Sequence, residues 1–208
     1  MFRTMASSIF DMRLSGGHPA LDLVNTLDSR RGRWGPDLLR SFDDVLAFAE
    51  RLQLIDASGL ASLRERAAVD PGKAEDALAR LIELREAIYS LFLAEDTDTP
   101  YPHRALSTVA EIARVGRARQ TLLKSNQNFV WTFPFDDPAD IFHLFAIAAT
   151  DLLTSRSDRR RVRECKGDNC GWLFLDRSKN GRRQWCSEAS CGVHSRVKRF
   201  RARGDDRG

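Results

Sequence analysis

The 208-residue chain has no apolar run long enough to span a bilayer. The nearest approach, residues 141–153, is shorter than a spanning helix and is interrupted by His143 and Asp151. The opening stretch MFRTMASSIFDMR lacks the continuous apolar core of a secretory signal. No membrane partner is therefore expected, and the sequence reads as cytoplasmic. Internal repeats, low-complexity tracts, a phosphate loop and a nucleophile–base constellation are also missing, which argues against an enzyme. Cysteine is absent from the first 164 residues. Acid is scarce in the last quarter: residues 156–208 hold 16 Lys+Arg against 7 Asp+Glu. Residues 1–155 hold the reverse excess, 17 against 22, so a mildly acidic body carries a strongly basic end. That asymmetry suggests that one part meets a polyanion and the other does not.

All four cysteines fall in that basic end. Cys165, Cys170, Cys186 and Cys191 are spaced C-x4-C-x15-C-x4-C. Two close pairs separated by a loop can bring four thiolates to one tetrahedral ion. In a reducing compartment such clustered pairs bind metal more often than they form disulfides. One structural zinc is expected. Four thiolates fill its coordination sphere and leave no position for water, so the metal should not be catalytic. His194, three residues beyond Cys191, is a lesser candidate ligand.

The stretch between the cysteine pairs predicts a strand from Trp172 to Leu175, a turn at Lys179-Asn180-Gly181 and a second short strand from Arg183 to Trp185. The second cysteine pair should open a helix capped by Ser187, in a treble-clef-like arrangement. On that helix Val193, Val197 and Phe200 line one face and should pack on the hairpin. The opposite side and its flanks carry His194, Arg196, Lys198, Arg199, Arg201 and Arg203. An arginine-rich helix suits a major groove, where arginine reads guanine and grips phosphate. Arg182 and Arg183, and the arginines from 159 to 163, would add backbone contacts.

Upstream, periodicity predicts a mainly α-helical domain. Pro19 opens a short helix from Ala20 to Leu27. Ser41 and Asp44 frame a capping box before a helix over 42–52, and Asp56 caps the next. A long helix runs over 73–93, with Arg85 in the middle of its apolar face. A helix over 104–117 follows. The apolar and β-branched runs on both sides of Ser125 to Asn128 predict a β-hairpin. Asp137-Pro138 then opens a helix to Thr154 that is apolar nearly all round. The expected division is a helical domain over 14–155 and a finger over 161–203.

The stretch WLFLDRSKNGRRQWCS with its flanking cysteines resembles the CGNR zinc finger. GGHPALDLVNTL resembles the opening of the ABATE domain that precedes it in that family. The resemblance implies a bacterial transcription regulator with a mainly helical N-terminal domain. The name-giving Cys-Gly-Asn-Arg is here Cys191-Gly192-Val193-His194, which keeps the metal ligand and loses Asn and Arg.

If the finger binds DNA, the larger domain is free to sense a small-molecule effector, to form a homodimer, or both. Buried Arg85 must pair, with Asp22, a helix terminus or an anionic ligand. Arg85, Asn25 and His18 are the candidate pocket residues, set against an internal ion pair with satisfied Asn and His. RNA binding, through stacking on Trp172, Phe174 or Trp185, and a protein adaptor held together by zinc are the competing readings.

Overall fold

The computed structural model describes residues 7–32 and 35–205, with side chains to residue 202. Seven helices and two small antiparallel hairpins are found among them: α1 (Pro19–Val24), α2 (Phe42–Arg51), α3 (Ala57–Val69), α4 (Pro71–Thr97), α5 (His103–Arg119), β1 (Thr121–Ser125), β2 (Asn128–Thr132), α6 (Asp140–Thr154), β3 (Val162–Glu164), β4 (Leu173–Leu175) and α7 (Val193–Asp205).

Local chemistry sets most of the boundaries. Ahead of α1, the His18 ring accepts the Ala20 N–H at 3.3 Å. Ser41 and Asp44 close the expected capping box on α2. Asp56 accepts from Gly59 ahead of α3. Asp70 accepts from Lys73, and Pro71 sits in the first turn of α4, where its missing N–H costs nothing. That helix starts earlier and runs further than the periodicity predicts, ending at Asp98 in a left-handed conformation. Its added turn carries Glu95 to the cysteine module.

The core is built around α6, whose Ile141, Phe142, Phe145, Ala146, Ala149 and Leu152 are buried. It packs against α1, α4 and α5, and Phe145 stacks on Phe48 of α2 at 5.8 Å. The apolar cluster continues without a break across residues 155–161. Leu21, Val24 and Phe92 belong to the same buried set as Val162, Trp172, Leu173, Phe174 and the four cysteines. A small metal module buries little apolar surface by itself; here it shares the core of the larger part.

Two sequence expectations are corrected. The strand over 172–175 has as its partner not 183–185 but β3, just ahead of the first cysteine pair, with Val162 opposite Leu175 and Glu164 opposite Leu173. The first cysteine pair therefore lies in the turn between two paired strands. Second, Val193, Val197 and Phe200 do not pack on that hairpin; Phe200 is 80 % exposed. The reason is direction: α7 grows outward from the wide turn Glu188–Gly192 and packs against no other element among the described residues.

Candidate metal centre and its basic helix

Cys165 follows β3 directly, and its N–H donates to the Trp172 carbonyl at 2.8 Å. Cys170 closes a tight knuckle, its N–H donating to Gly167 at 3.3 Å. A Cβ on Gly167 would come within 3.1 Å of the Cys191 sulfur, so a larger residue there would crowd the second pair. Gly171 holds a φ of +72°, which favours glycine as the chain leaves the knuckle. Cys186 precedes the wide turn that leads into α7, and Cys191 lies within it. Ser187 makes no capping bond there, contrary to expectation; its hydroxyl accepts from Arg13 at 3.4 Å.

All four sulfurs are buried and lie within 4.8 Å of one another. Cys170 and Cys186 are 3.6 Å apart, and Cys186 and Cys191 3.8 Å. A tetrahedron of thiolates at about 2.3 Å from zinc has edges of about 3.8 Å. The donor set therefore fits one tetrahedral ion. Electrostatics agrees. Sulfurs this close cannot all ionise without a cation among them: Cys165 is pulled below the ordinary thiol range by Cys170, while Cys165 pushes Cys170 and Cys186 far above it. Zinc held by four thiolates supplies a structural staple and no reactive site.

Residues near the N-terminus complete this centre. The strand β4 has one edge on β3. Along its other edge the side chain of Asn25 acts as a substitute strand: its Nδ2 donates to the Leu173 carbonyl and its Oδ1 accepts the Leu173 N–H, both at 2.9 Å. Leu175 N–H then donates to the Gly16 carbonyl at 2.8 Å. Trp172 Nε1 donates to the Leu27 carbonyl at 3.1 Å, and Arg30 N–H to the carbonyl of the ligand Cys170 at 2.7 Å.

The three candidate pocket residues all have partners within the chain. Arg85, 3 % exposed, is bidentate to Asp37 at 2.8 and 2.7 Å and also meets Thr26 and Glu86. Its partner is thus Asp37, where the sequence suggested Asp22, a helix terminus or a ligand. Asn25 holds β4, and His18 caps α1. These partners account for the three polar groups without a ligand. Asp22 instead accepts the Gly16 N–H at 2.8 Å, and burial pushes its carboxyl up to about 6. Burial, with Arg159 and Arg177 nearby, pulls the His18 ring down to about 4.

The basic residues divide into two groups. Arg159 is bidentate to buried Glu95 at 2.9 Å, Arg161 reaches the Glu95 carbonyl and Asp98, and Arg163 lies by Asp96. Glu95 also accepts the Val162 N–H at 2.7 Å. These arginines, expected to add contacts to a polyanion, fasten β3 to α4. Arg183 likewise turns inward: it donates to the Trp185 and Cys186 carbonyls and lies over the Phe174 ring at 4.5 Å. His194 donates from Nδ1–H to the Ser190 carbonyl at 2.9 Å. By contrast Arg182, Arg196, Lys198, Arg199 and Arg201 are exposed. Arg196 pairs with Glu188, and Lys198 with Asp168 at 2.7 Å, both at the surface. Arg203 lies on α7, but its side chain is outside the described residues.

Glu95, Asp37 and Glu164 were not singled out by sequence. Each is an ordinary acidic residue until its partner is known. The signal that could have found them is the excess of arginine in the 156–163 segment and at Arg85, since each buried guanidinium demands a carboxylate.

Residues 17–156 match the family model ABATE, described as "Putative stress-induced transcription regulator", and residues 161–204 match the CGNR zinc finger. Among curated proteins none matches the chain. No helix among the described residues is long and apolar enough to cross a membrane.

Proposed function

Because the chain belongs to the ABATE family and ends in a CGNR zinc finger, we propose that it is a zinc-dependent DNA-binding transcription regulator of the bacterial cytoplasm, with a finger over 161–203 that contacts duplex DNA and a helical domain over 14–155 that tunes it. The observation that carries this reading is α7. It leaves the body of the protein at the zinc site and carries Arg196, Lys198, Arg199 and Arg201 exposed, with no acid before Asp205. No acidic partner of Arg199 or Arg201 is found among the described residues. The two surface pairs, Arg196–Glu188 and Lys198–Asp168, are weak in water and exchangeable for phosphate. Residues 1–155, with 17 Lys+Arg against 22 Asp+Glu, carry a net negative charge that disfavours approach of the polyanion to that part of the protein.

Val193 and His194 stand where the family motif has Asn and Arg. Neither supports base reading here: Val193 is apolar and His194 bonds the Ser190 carbonyl. Phosphate contact from Arg182, Arg196, Lys198, Arg199 and Arg201 is the better supported part of the reading. Phe200, 80 % exposed on the same helix, favours a second reading, single-stranded nucleic acid with a base stacked on that ring. The domain's tuning role, whether through an effector or through self-association, rests on the family alone.

Mobility shifts of the zinc-loaded chain on duplex DNA, single-stranded DNA and RNA over a salt series test this. Five cationic contacts give a slope of log K on log salt of about −3 to −5, and Arg199→Ala lowers it by about 0.9. Preference for duplex DNA supports the first reading, and preference for a single strand weakened by Phe200→Ala supports the second. No binding to either at low salt, or an Arg199→Ala variant of unchanged slope, sinks both.

A further inference from the structure

The hairpin β1–β2 packs against no other element among the described residues. It leaves Leu122, Leu123, Phe129, Val130 and Trp131 exposed, Phe129 at 67 % and Trp131 at 62 %. A lone two-stranded hairpin is marginal in water. Contiguous exposed apolar surface of this kind marks a site of association. The register sets Leu122 opposite Trp131 and Leu123 opposite Val130. One face therefore carries Leu122, Phe129 and Trp131, and the other Leu123 and Val130. Among the described residues each strand pairs only with the other, so both outer edges are open.

We propose that a second copy of this chain pairs antiparallel along the outer edge of β2, with the two-fold axis through Val130, to form a continuous four-stranded sheet. The backbone supports this occupant. In an antiparallel ladder, every second residue directs its N–H and C=O away from the existing partner. Counted from the turn-flanking pair Ser125–Asn128, those residues of β2 are Phe129 and Trp131. Centring on Val130 sets Phe129 of each copy opposite Trp131 of the other, so the outward groups meet each other.

The side chains support it too. The same register makes two aromatic cross-strand pairs on one face, an arrangement that stabilises sheets, and sets Asn128 opposite Thr132. The β1 edge has no such self-register, since centring on Leu123 would set Leu122 against Lys124. Charge points the same way. Residues 120–135 carry Lys124 alone, and it lies on β1, away from the axis. Two copies meet without opposed like charges. A nucleic acid or a strongly charged protein finds little to pair with there. The isologous contact closes at two copies. The inference does not depend on what α7 contacts.

Sedimentation velocity on the full zinc-loaded chain across the micromolar range tests it. The wild type should sediment as a dimer. Trp131→Lys should raise the dissociation constant roughly thirty-fold or more, the loss typical of an aromatic anchor, with helical circular dichroism and zinc content unchanged. A second variant reads the axis directly. Val130 pairs with itself across a non-hydrogen-bonded position with Cα atoms about 4.5 Å apart, within reach of a disulfide. Mild oxidation of Val130→Cys should therefore give a covalent dimer, while Leu123→Cys and the wild type do not. A wild type that stays monomeric, a dimer indifferent to Trp131→Lys, or cross-linking of Leu123→Cys in place of Val130→Cys overturns the proposal.

Discussion

Asp22 and His18 sit four residues apart at the start of α1 and respond to pH in opposite ways. Burial raises the Asp22 carboxyl to about 6 from an ordinary 3.8, against the smaller pull of the Gly16 N–H. The folded chain therefore holds that proton more tightly than the unfolded chain does. The stability this contributes is full below about 3.8 and is lost as pH rises towards 6. His18 is the reverse case. Its ring is pulled down from 6.5 to about 4, so its contribution is full above 6.5 and is lost as pH falls towards 4. The two windows overlap, and the slopes partly cancel in the wild type. Asp22→Asn keeps an oxygen for the Gly16 N–H and removes one slope. It should be more stable than the wild type at neutral pH by about 1–3 kcal/mol, with the gap shrinking as pH falls towards 4. Urea melts of both proteins across that range measure it; a gap that does not change with pH assigns the titration elsewhere.

At the scale of the element, β4 shows how much depends on one amide. Its outer edge has no neighbouring strand among the described residues, yet Leu173 has both backbone groups paired, by Asn25. Asn25→Ala would leave a buried N–H and a buried carbonyl without partners, at about 2–4 kcal/mol. Asn25→Asp keeps the acceptor but sets a carboxylate against the Leu173 carbonyl, so it should not rescue. Denaturant melts of the three proteins test this, and an alanine variant as stable as the wild type would remove Asn25 from the edge.

The sequence made Asn25 conspicuous, a polar residue on an apolar face, but not its partner 148 positions away. The same limit explains the other differences. Helices were legible because their caps and periods are local: Ser41, Asp56 and Asp70 act within three residues. The four cysteines were legible because metal spacing is local too. The strand β3 was hidden because Val162 and Glu164 alternate with arginines that read as solvated, and only Glu95 on a distant helix makes them internal. The apolar row Val193, Val197 and Phe200 marks a face of α7 correctly, but periodicity does not say whether anything covers it.

For the whole molecule, the shared core makes the metal a matter for the entire chain. The ligand Cys170 is tied to Arg30, whose side chain is bidentate to Glu86 at 2.7 and 3.1 Å and lies over Tyr89 at 4.1 Å. Tyr89 and Arg31 both reach Glu164, beside Cys165. Metal binding to such a site is folding free energy, and here it should not stay in the finger. Chelation should lower the melting temperature of one cooperative transition, seen alike by helical circular dichroism and by Trp fluorescence. Two separate transitions, with the helical one unmoved by chelator, would refute a shared core.

The Asn25–Leu173 clamp also has a consequence during synthesis. A ribosome adds about 5–20 residues per second, so at a separation of 148 residues Asn25 waits roughly 7–30 s for its partner. Gly16, Leu27 and Arg30 wait about as long. Until then α1 can form but not lock, and its polar groups stay available to chaperones and proteases. The nascent chain commits to its final shape late, when the cysteine segment has emerged and found its metal. Zinc scarcity would then be felt as failed maturation of new chains sooner than as loss from finished ones.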